Sequence, residues 1–395
     1  MNTQNEVKQL PVEVGLLVCN RWELVRKIGE GACGVVWEVI DMKTKSKKSH
    51  AAIKFEPRKE DGEMLKMEAL IMRSLSMSKS SHVAKLYDSG NTPKYSFIVM
   101  KLLGPSLCYL RDHCPQQKFT LSTSVRIAKQ MTEALRDLHE AGFVHRDVKP
   151  ANFVMGIGKH SRSNLFILDF GLARRVKIKN EKGELTLRPP RGYVRFRGTP
   201  RYCSVFVHRN EEPGFSDDIW SVFYIFIEMF TGDLPWRGLS RMQVENNKTN
   251  IGKDVMIGCP KDSITIYKHL RKLNYFKIPD YKLLLDTFSL MVTKKGGTLE
   301  GPLDWQPAGA FYKHIRMKSR RIASVYKDVN EQALDERMVY DVLTNPETLR
   351  EVKDIESEFK NEDDLGASVV GGHSREDPTV EEVTKTQSSK EKTVN

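Results

Sequence analysis

What this chain lacks narrows the field before what it contains. No apolar run approaches the roughly 18 residues that a bilayer-spanning helix needs. The longest, Val222–Phe230, is short and is interrupted by Glu228. The opening MNTQNEVKQLPVEVG carries an acid and no apolar stretch, so it is not expected to act as a secretory signal. Cysteine is scarce. Cys19, Cys33, Cys108, Cys114, Cys203 and Cys259 are scattered without C-x-x-C spacing, which fits neither a disulfide framework nor a zinc site. No internal repeat is visible. The expectation is a soluble, reduced, intracellular protein, in the cytoplasm or the nucleus.

What is present argues for a packed core. The 395 residues are 39% hydrophobic and 29% charged, with 17 Phe and 12 Tyr, which excludes global disorder and a collagen-like chain. The net charge of +12 is uneven. The first 293 residues hold 47 basic against 31 acidic side chains, whereas the remainder holds 16 against 20. A basic body with an acidic tail points to anionic partners for the body. Charge alone does not choose among nucleic acid, lipid and acidic protein.

Periodicity gives the layout. The runs WELVRKIG, GVVWEVID and HAAIKFE read as short strands of an antiparallel sheet, with two more at Val83–Tyr87 and Ser96–Met100. Glu63–Leu75 has apolar residues at helical spacing. After Pro105 the pattern turns helical. Thr120 opens a long amphipathic segment that stops at Gly142, and Asp217–Thr231 is apolar on nearly every face, as a buried helix would be. A leader over 1–21 and amphipathic helix within 310–345 are expected, with a largely disordered acidic tail over 346–395.

Four motifs carry chemistry. Gly29-Glu30-Gly31-Ala32-Cys33-Gly34-Val35-Val36 is G-x-G-x-x-G-x-V, whose glycines let a hairpin backbone approach phosphate oxygens. Strand rather than helix follows, which separates it from a dinucleotide fingerprint. Ala51-Ala52-Ile53-Lys54 places a lysine at a strand end 20 residues after Gly34. In His145-Arg146-Asp147-Val148-Lys149-Pro150-Ala151-Asn152, an aspartate able to accept a hydroxyl proton precedes an asparagine able to hold a metal ion. Leu168-Asp169-Phe170-Gly171 adds a second metal carboxylate 22 residues after Asp147. Each of the first two says little alone. All four in this order are the arrangement that phosphoryl transfer by protein kinases requires.

The stretch from Trp22 to about Val292 thus resembles a eukaryotic protein kinase domain. The resemblance implies an α+β, two-lobed fold, with a β-rich N-lobe over about 22–100 and a helical C-lobe over about 105–292. A partly helical extension would cover 293–345. It implies ATP and Mg²⁺ as cofactors and transfer to Ser/Thr hydroxyls of protein substrates. Lys54 would contact the phosphates, with Glu68 as its ion-pair partner and Glu63 as the fallback. Asp147 would be the base, Lys149 would steady the γ-phosphate, and Asn152 and Asp169 would hold Mg²⁺. Ile28, Ala52, gatekeeper Met100 and hinge residue Leu103 would complete the nucleotide site with the glycine-loop residues. Thr199 matches the threonine that touches the catalytic pair, and Asp218 the aspartate that braces the catalytic loop.

A closer resemblance lies downstream. The Ala-Pro-Glu triplet expected at the end of the activation segment is missing. Gly198-Thr199-Pro200-Arg201-Tyr202-Cys203-Ser204 stands there instead, similar to the G-T-x-R-Y-x-S of the casein kinase 1 superfamily. Leu65-Lys66-Met67-Glu68, Arg188-Pro189-Pro190-Arg191, Phe196–Thr199 and Asp304-Trp305 look most like its tau-tubulin kinase branch. Val205-Phe206 departs from the usual Ile-Asn, and Lys101 replaces an acidic hinge residue.

From Asp169 to Phe206 inclusive there are ten basic residues against three acids. That bias, with Arg197, Thr199 and Arg201 as the expected anion contacts, implies acidic or already phosphorylated Ser/Thr sites on protein substrates. Cytoskeletal proteins are a candidate class, and Lys313, Arg316, Lys318, Arg320 and Arg321 a candidate dock for an acidic partner. Sparse aromatic interleaving argues against nucleic acid. Cys33 reads as a filler residue. A monomer is expected. The alternative is a catalytically weak scaffold with a kinase fold.

Overall fold

The computed structural model describes residues 12–31, 34–44, 49–58, 64–158 and 160–323. Ala32, Cys33, Glu63, most of the expected leader, residues 324–345 and the acidic tail lie outside that set.

The N-terminal part is a six-stranded antiparallel sheet of β1 (Leu17–Val18), β2 (Trp22–Gly31), β3 (Gly34–Asp41), β4 (Ser49–Pro57), β5 (Leu86–Asn91) and β6 (Tyr95–Lys101). Its spatial order is β1-β2-β3-β4-β6-β5, and one helix, α1 (Met64–Met77), crosses between β4 and β5. Successive side chains of a strand point to opposite faces, and β4 uses both. Ala51, Ile53 and Phe55 enter a small core with Leu24, Val39 and Phe97, while Ala52 joins the main core. The alternation therefore turns Lys54 away from the small core and toward α1. Helix α1 buries Leu65, Glu68, Ala69, Ile71, Met72 and Leu75, a stripe at helical spacing with one acid in it.

The larger part is helical: α2 (Leu107–His113), α3 (Leu121–Glu140), α4 (Val205–His208), α5 (Phe215–Thr231), α6 (Arg241–Asn250), α7 (Ser263–Leu270), α8 (Tyr281–Thr293) and α9 (Tyr312–Ala323). Thr120 caps α3 by accepting from the Thr123 amide, as its place before the apolar pattern predicts. Helix α5 is buried from Phe215 to Met229 and ends on Gly232 in the left-handed region. Short strands β7 (Phe143–Val144), β8 (Phe153–Met155) and β9 (Leu165–Ile167) flank the catalytic segment. Beyond them, β10 (Arg174–Arg175), β11 (Lys177–Lys179) and β12 (Leu185–Leu187) lie in the activation segment.

One expectation changes. The strand expected at Val83–Tyr87 begins only at Leu86, because Val83 bridges to Ile167 and the His82 carbonyl accepts from the Ile167 amide. Those residues are spent on the C-lobe rather than the sheet. Within the extension expected over 293–345, the described residues pack on the helical part. Leu303, Asp304 and Gln306 are buried, and Asp304 accepts from both the Thr120 amide and its hydroxyl at 2.7 Å. Trp305 packs on Phe119, 5.2 Å between ring centroids.

Candidate active site

The cleft between sheet and helices is roofed by the glycine hairpin. β2 and β3 pair in register from Trp22↔Asp41 to Gly31↔Gly34, with irregularities between Leu24 and Arg26 and between Lys27 and Gly29. At Gly34, φ is +134°, and a Cβ would stand 2.0 Å from the Phe55 carbonyl oxygen. Glycine is thus required there by the neighbouring strand as well as by any phosphate. Gly29 pairs with Val36, and Ile28 and Val36 pack against the main core. Glu30 is exposed and pairs with Lys27 at 2.5 Å. Val35 differs from expectation. The pleat turns its side chain into the small core with Trp37 and Phe55, so only its backbone belongs to the roof.

Lys54 meets the expected partner. Its Nζ donates to Glu68 Oε2 at 2.8 Å and to Asp169 Oδ1 at 3.3 Å. Burial works against the ammonium charge, but Glu68 and Asp169 outweigh it and hold the lysine above its ordinary range. Asp169, in the left-handed region at φ 63°, is likewise opposed by burial and is held below the usual carboxylate range by Lys54. At the back of the cleft Ala52 and Met100 are buried side by side across β4 and β6. The hinge turns at Leu103, whose amide and carbonyl make no hydrogen bond among the described residues. Those two groups are what an adenine edge would take.

The catalytic segment is held from below. Asp218, on α5, accepts from the backbone amides of His145 (2.8 Å) and Arg146 (3.0 Å), and its Oδ2 also pairs with His139 Nε2 at 2.8 Å. Burial opposes its charge, yet the His139 hydrogen bond brings the carboxyl below its ordinary value. On that platform sits Asp147, buried, with three side chains on it. Thr199 Oγ1 donates to Oδ1 at 2.7 Å, and Lys149 Nζ lies 2.9 Å from Oδ2. Asn152 Nδ2 donates to the Asp147 carbonyl at 2.9 Å. With its amide nitrogen spent there, Asn152 is left with its side-chain oxygen for a ligand. That oxygen and the Asp169 carboxylate are hard donors of the kind Mg²⁺ takes.

The activation segment is anchored by Asp217, Glu212 and Glu228, acids to which the sequence assigns no such role. Gly198, at φ +103°, lets the backbone pass the Arg146 carbonyl, which a Cβ would meet at 2.5 Å. Ser204 donates to Asp217 and caps α4 through the Val207 amide. Glu212 gathers Arg191 and Arg174, at 2.5 and 3.4 Å. Glu228 is wholly buried and takes Arg111 at 2.5 Å, the Tyr202 hydroxyl at 2.7 Å and Arg201 at 3.3 Å. Arg201, expected as an anion contact, is therefore shared with an internal carboxylate, whereas Arg197 is exposed and makes no ion pair among the described residues. Arg146 is pushed down to about 10 by burial and by the charges of Arg197, Arg174 and Arg191. Cationic crowding of that kind is a field for an anion. The one signal for Glu228 in the sequence is an acid breaking an apolar run.

Lys101 lies with its Nζ 5.4 Å from the Phe166 ring centroid, so it packs on an aromatic face at the hinge. In α9, Lys318 donates to the Asp112 carbonyl at 2.8 Å and Ile315 is buried, while Lys313 is exposed. The side chains of Arg320 and Arg321 lie outside the described residues.

Comparison with known proteins agrees with this geometry. Residues 22–286 match the family model for the protein kinase domain. The chain is 35% identical over 298 residues to a probable serine/threonine-protein kinase of Dictyostelium discoideum, covering 74% of this chain and 58% of that protein. It is 36% identical over 307 residues to a putative serine/threonine-protein kinase of Caenorhabditis elegans, covering 76% and 86%. A putative casein kinase I of the same animal is 33% identical over 317 residues, covering 77% and 88%.

Proposed function

Because the chain belongs to the protein kinase family, we propose that it transfers the γ-phosphoryl group of ATP to Ser or Thr hydroxyls in acidic or already phosphorylated protein sites. On this reading it acts as a casein kinase 1-like enzyme of the tau-tubulin type. The observation that carries it is the convergence of Lys54, Asp147, Asn152 and Asp169 on one cleft, with Lys54 on Glu68 and Asp169, and Asp147 held by Thr199 and Asn152.

Phosphoryl transfer asks a protein for positioning and charge, not for covalent chemistry. Asp147 lies beside the segment that would receive a peptide and can take the acceptor proton. Lys149, 2.9 Å from Asp147, stands where it would meet a transferring phosphoryl group. Lys54 would hold the remaining phosphates. Bound to Asn152 and Asp169, Mg²⁺ would neutralise phosphate charge.

Substrate class rests on the uncompensated cations. Glu212 and Glu228 occupy Arg174, Arg191 and Arg201, while Arg188, Arg195 and Arg197 make no ion pair among the described residues.

The test is Mg²⁺-dependent transfer of labelled γ-phosphate to casein, and to serine peptides with and without acids, with Asp147→Asn as control. Transfer should fall by about 10²- to 10⁴-fold in the control. The acid-bearing peptide should have the higher kcat/KM, by an amount that shrinks with added salt. Equal values for the two peptides overturn the substrate class. Undiminished transfer by Asp147→Asn overturns the mechanism.

A further inference from the structure

Lys248 belongs to no motif and takes no part in the nucleotide site. It stands on α6, a helix of mostly polar residues, yet it is only 5% exposed. Its Nζ donates to the carbonyls of Pro200 at 2.5 Å and Cys203 at 2.7 Å, and lies 3.4 Å from His208 Nε2. The rings of Tyr224 and Trp236 lie 5.1 and 5.2 Å from it. Among the described residues no carboxylate pairs with it. A buried ammonium without a counter-ion is costly unless dipoles replace its water. Here carbonyl oxygens and aromatic faces do so.

The two carbonyls bracket Arg201 and Tyr202, directly after Thr199 and its hydrogen bond to Asp147. The Ala-Pro-Glu triplet that would anchor this stretch is absent. We propose that Lys248 is a positioning residue for the phosphoacceptor: it fixes the backbone of residues 200–204 as the platform for the peptide, and so sets peptide affinity. The carbonyls it holds belong to the loop, not to the phosphate site, so its loss acts on the peptide and not on ATP. This inference rests on the phosphotransfer reading above.

Burial pushes Lys248 down to about 8, so its charge is lost within an accessible pH range. Its neighbours titrate elsewhere. His208 is driven by burial and by Lys248 to about 3, burial lifts Cys203 to about 11, and Tyr224 from α5 is raised by burial. Arg241, on the same helix, is a further charged neighbour of His208 and Cys203.

The experiment is steady-state transfer to an acidic serine peptide at saturating Mg²⁺, with the peptide varied at saturating ATP and ATP varied at saturating peptide. Lys248→Met keeps the apolar stem and removes the donors. Its peptide KM should rise about tenfold, as the loss of a charge-assisted hydrogen bond implies, with kcat and ATP KM moving less than about threefold. In the unaltered protein, peptide KM should rise at least about threefold from pH 7 to 9.5 while ATP KM stays level. That second measurement decides the matter if the variant does not fold. An unchanged peptide KM in folded Lys248→Met, a parallel fall in kcat, or a level peptide KM across that pH range overturns the proposal. Absence of transfer to any acceptor by unaltered protein that binds ATP fails the phosphotransfer reading instead.

Discussion

Thr199 donates its hydroxyl hydrogen to Asp147 Oδ1 at 2.7 Å, which ties the peptide-receiving segment to the carboxylate that would take the peptide's proton. The bond fixes both the rotamer of the base and the height of the segment above it. Thr199→Ala should lower kcat about tenfold or more. Thr199→Ser keeps the hydroxyl and should recover most of that loss. Equal kcat for the two variants would show that the methyl group, not the hydroxyl, is what matters.

Glu228 should matter more for stability than for chemistry. Arg111, itself buried, ends on Glu228 with Arg201 and Tyr202 beside it. Removing one partner of a buried ion pair leaves the other charge without compensation, at about 3 kcal/mol or more. Glu228→Gln is expected to lower the unfolding free energy by that amount in urea titration. A change under about 0.5 kcal/mol would mean that water already reaches Arg111.

His208 and Asp217 give opposite pH dependences. His208, driven by burial to about 3, is neutral in the folded protein, so its stabilising contribution is present above its ordinary value near 6.5 and is lost as pH falls. Asp217, raised by burial to about 6, contributes below its ordinary value near 4 and loses that contribution as pH rises through 6. Between about pH 4 and 6 the two slopes oppose each other. Asp217→Asn should therefore steepen the acid loss of stability by roughly 1 kcal/mol per pH unit, and His208→Gln should reverse its sign. Thermal unfolding at pH 4.5, 5 and 6 checks both. Parallel curves for all three proteins would contradict the assignment.

The segment after α8 should be needed for folding. Chains ending at residues 295 and 323 differ by the buried Leu303 and Ile315, by Trp305 on Phe119 and by the Asp304 hydrogen bonds to Thr120. The shorter chain should be less stable by at least about 3–5 kcal/mol, from the apolar side chains and two part-buried hydrogen bonds it loses. Equal denaturation midpoints would show the packing to be dispensable.

How much of this the sequence discloses depends on the physics behind each residue. Lys54, Asp147, Asn152 and Asp169 are legible because phosphate chemistry restricts both residue type and spacing. Glu68 is legible as an acid on an apolar helical stripe. Glu228 registers only as an interruption, since its partners Arg111 and Arg201 come from distant parts of the chain. Lys248 sits among polar residues, and no period separates a buried lysine from a solvated one. Val83 shows the limit for strands. The run VAKLY has strand composition, but whether it pairs with β6 or β9 is decided by tertiary packing.

The bond between Asp304 and Thr120 joins residues 184 positions apart. A ribosome adding about 5–20 residues per second needs about 10–40 s to make that stretch. For that time α3 exists without the acid that closes over its first turn. The finished N-terminus of this central helix is thus a late event in the life of the nascent chain.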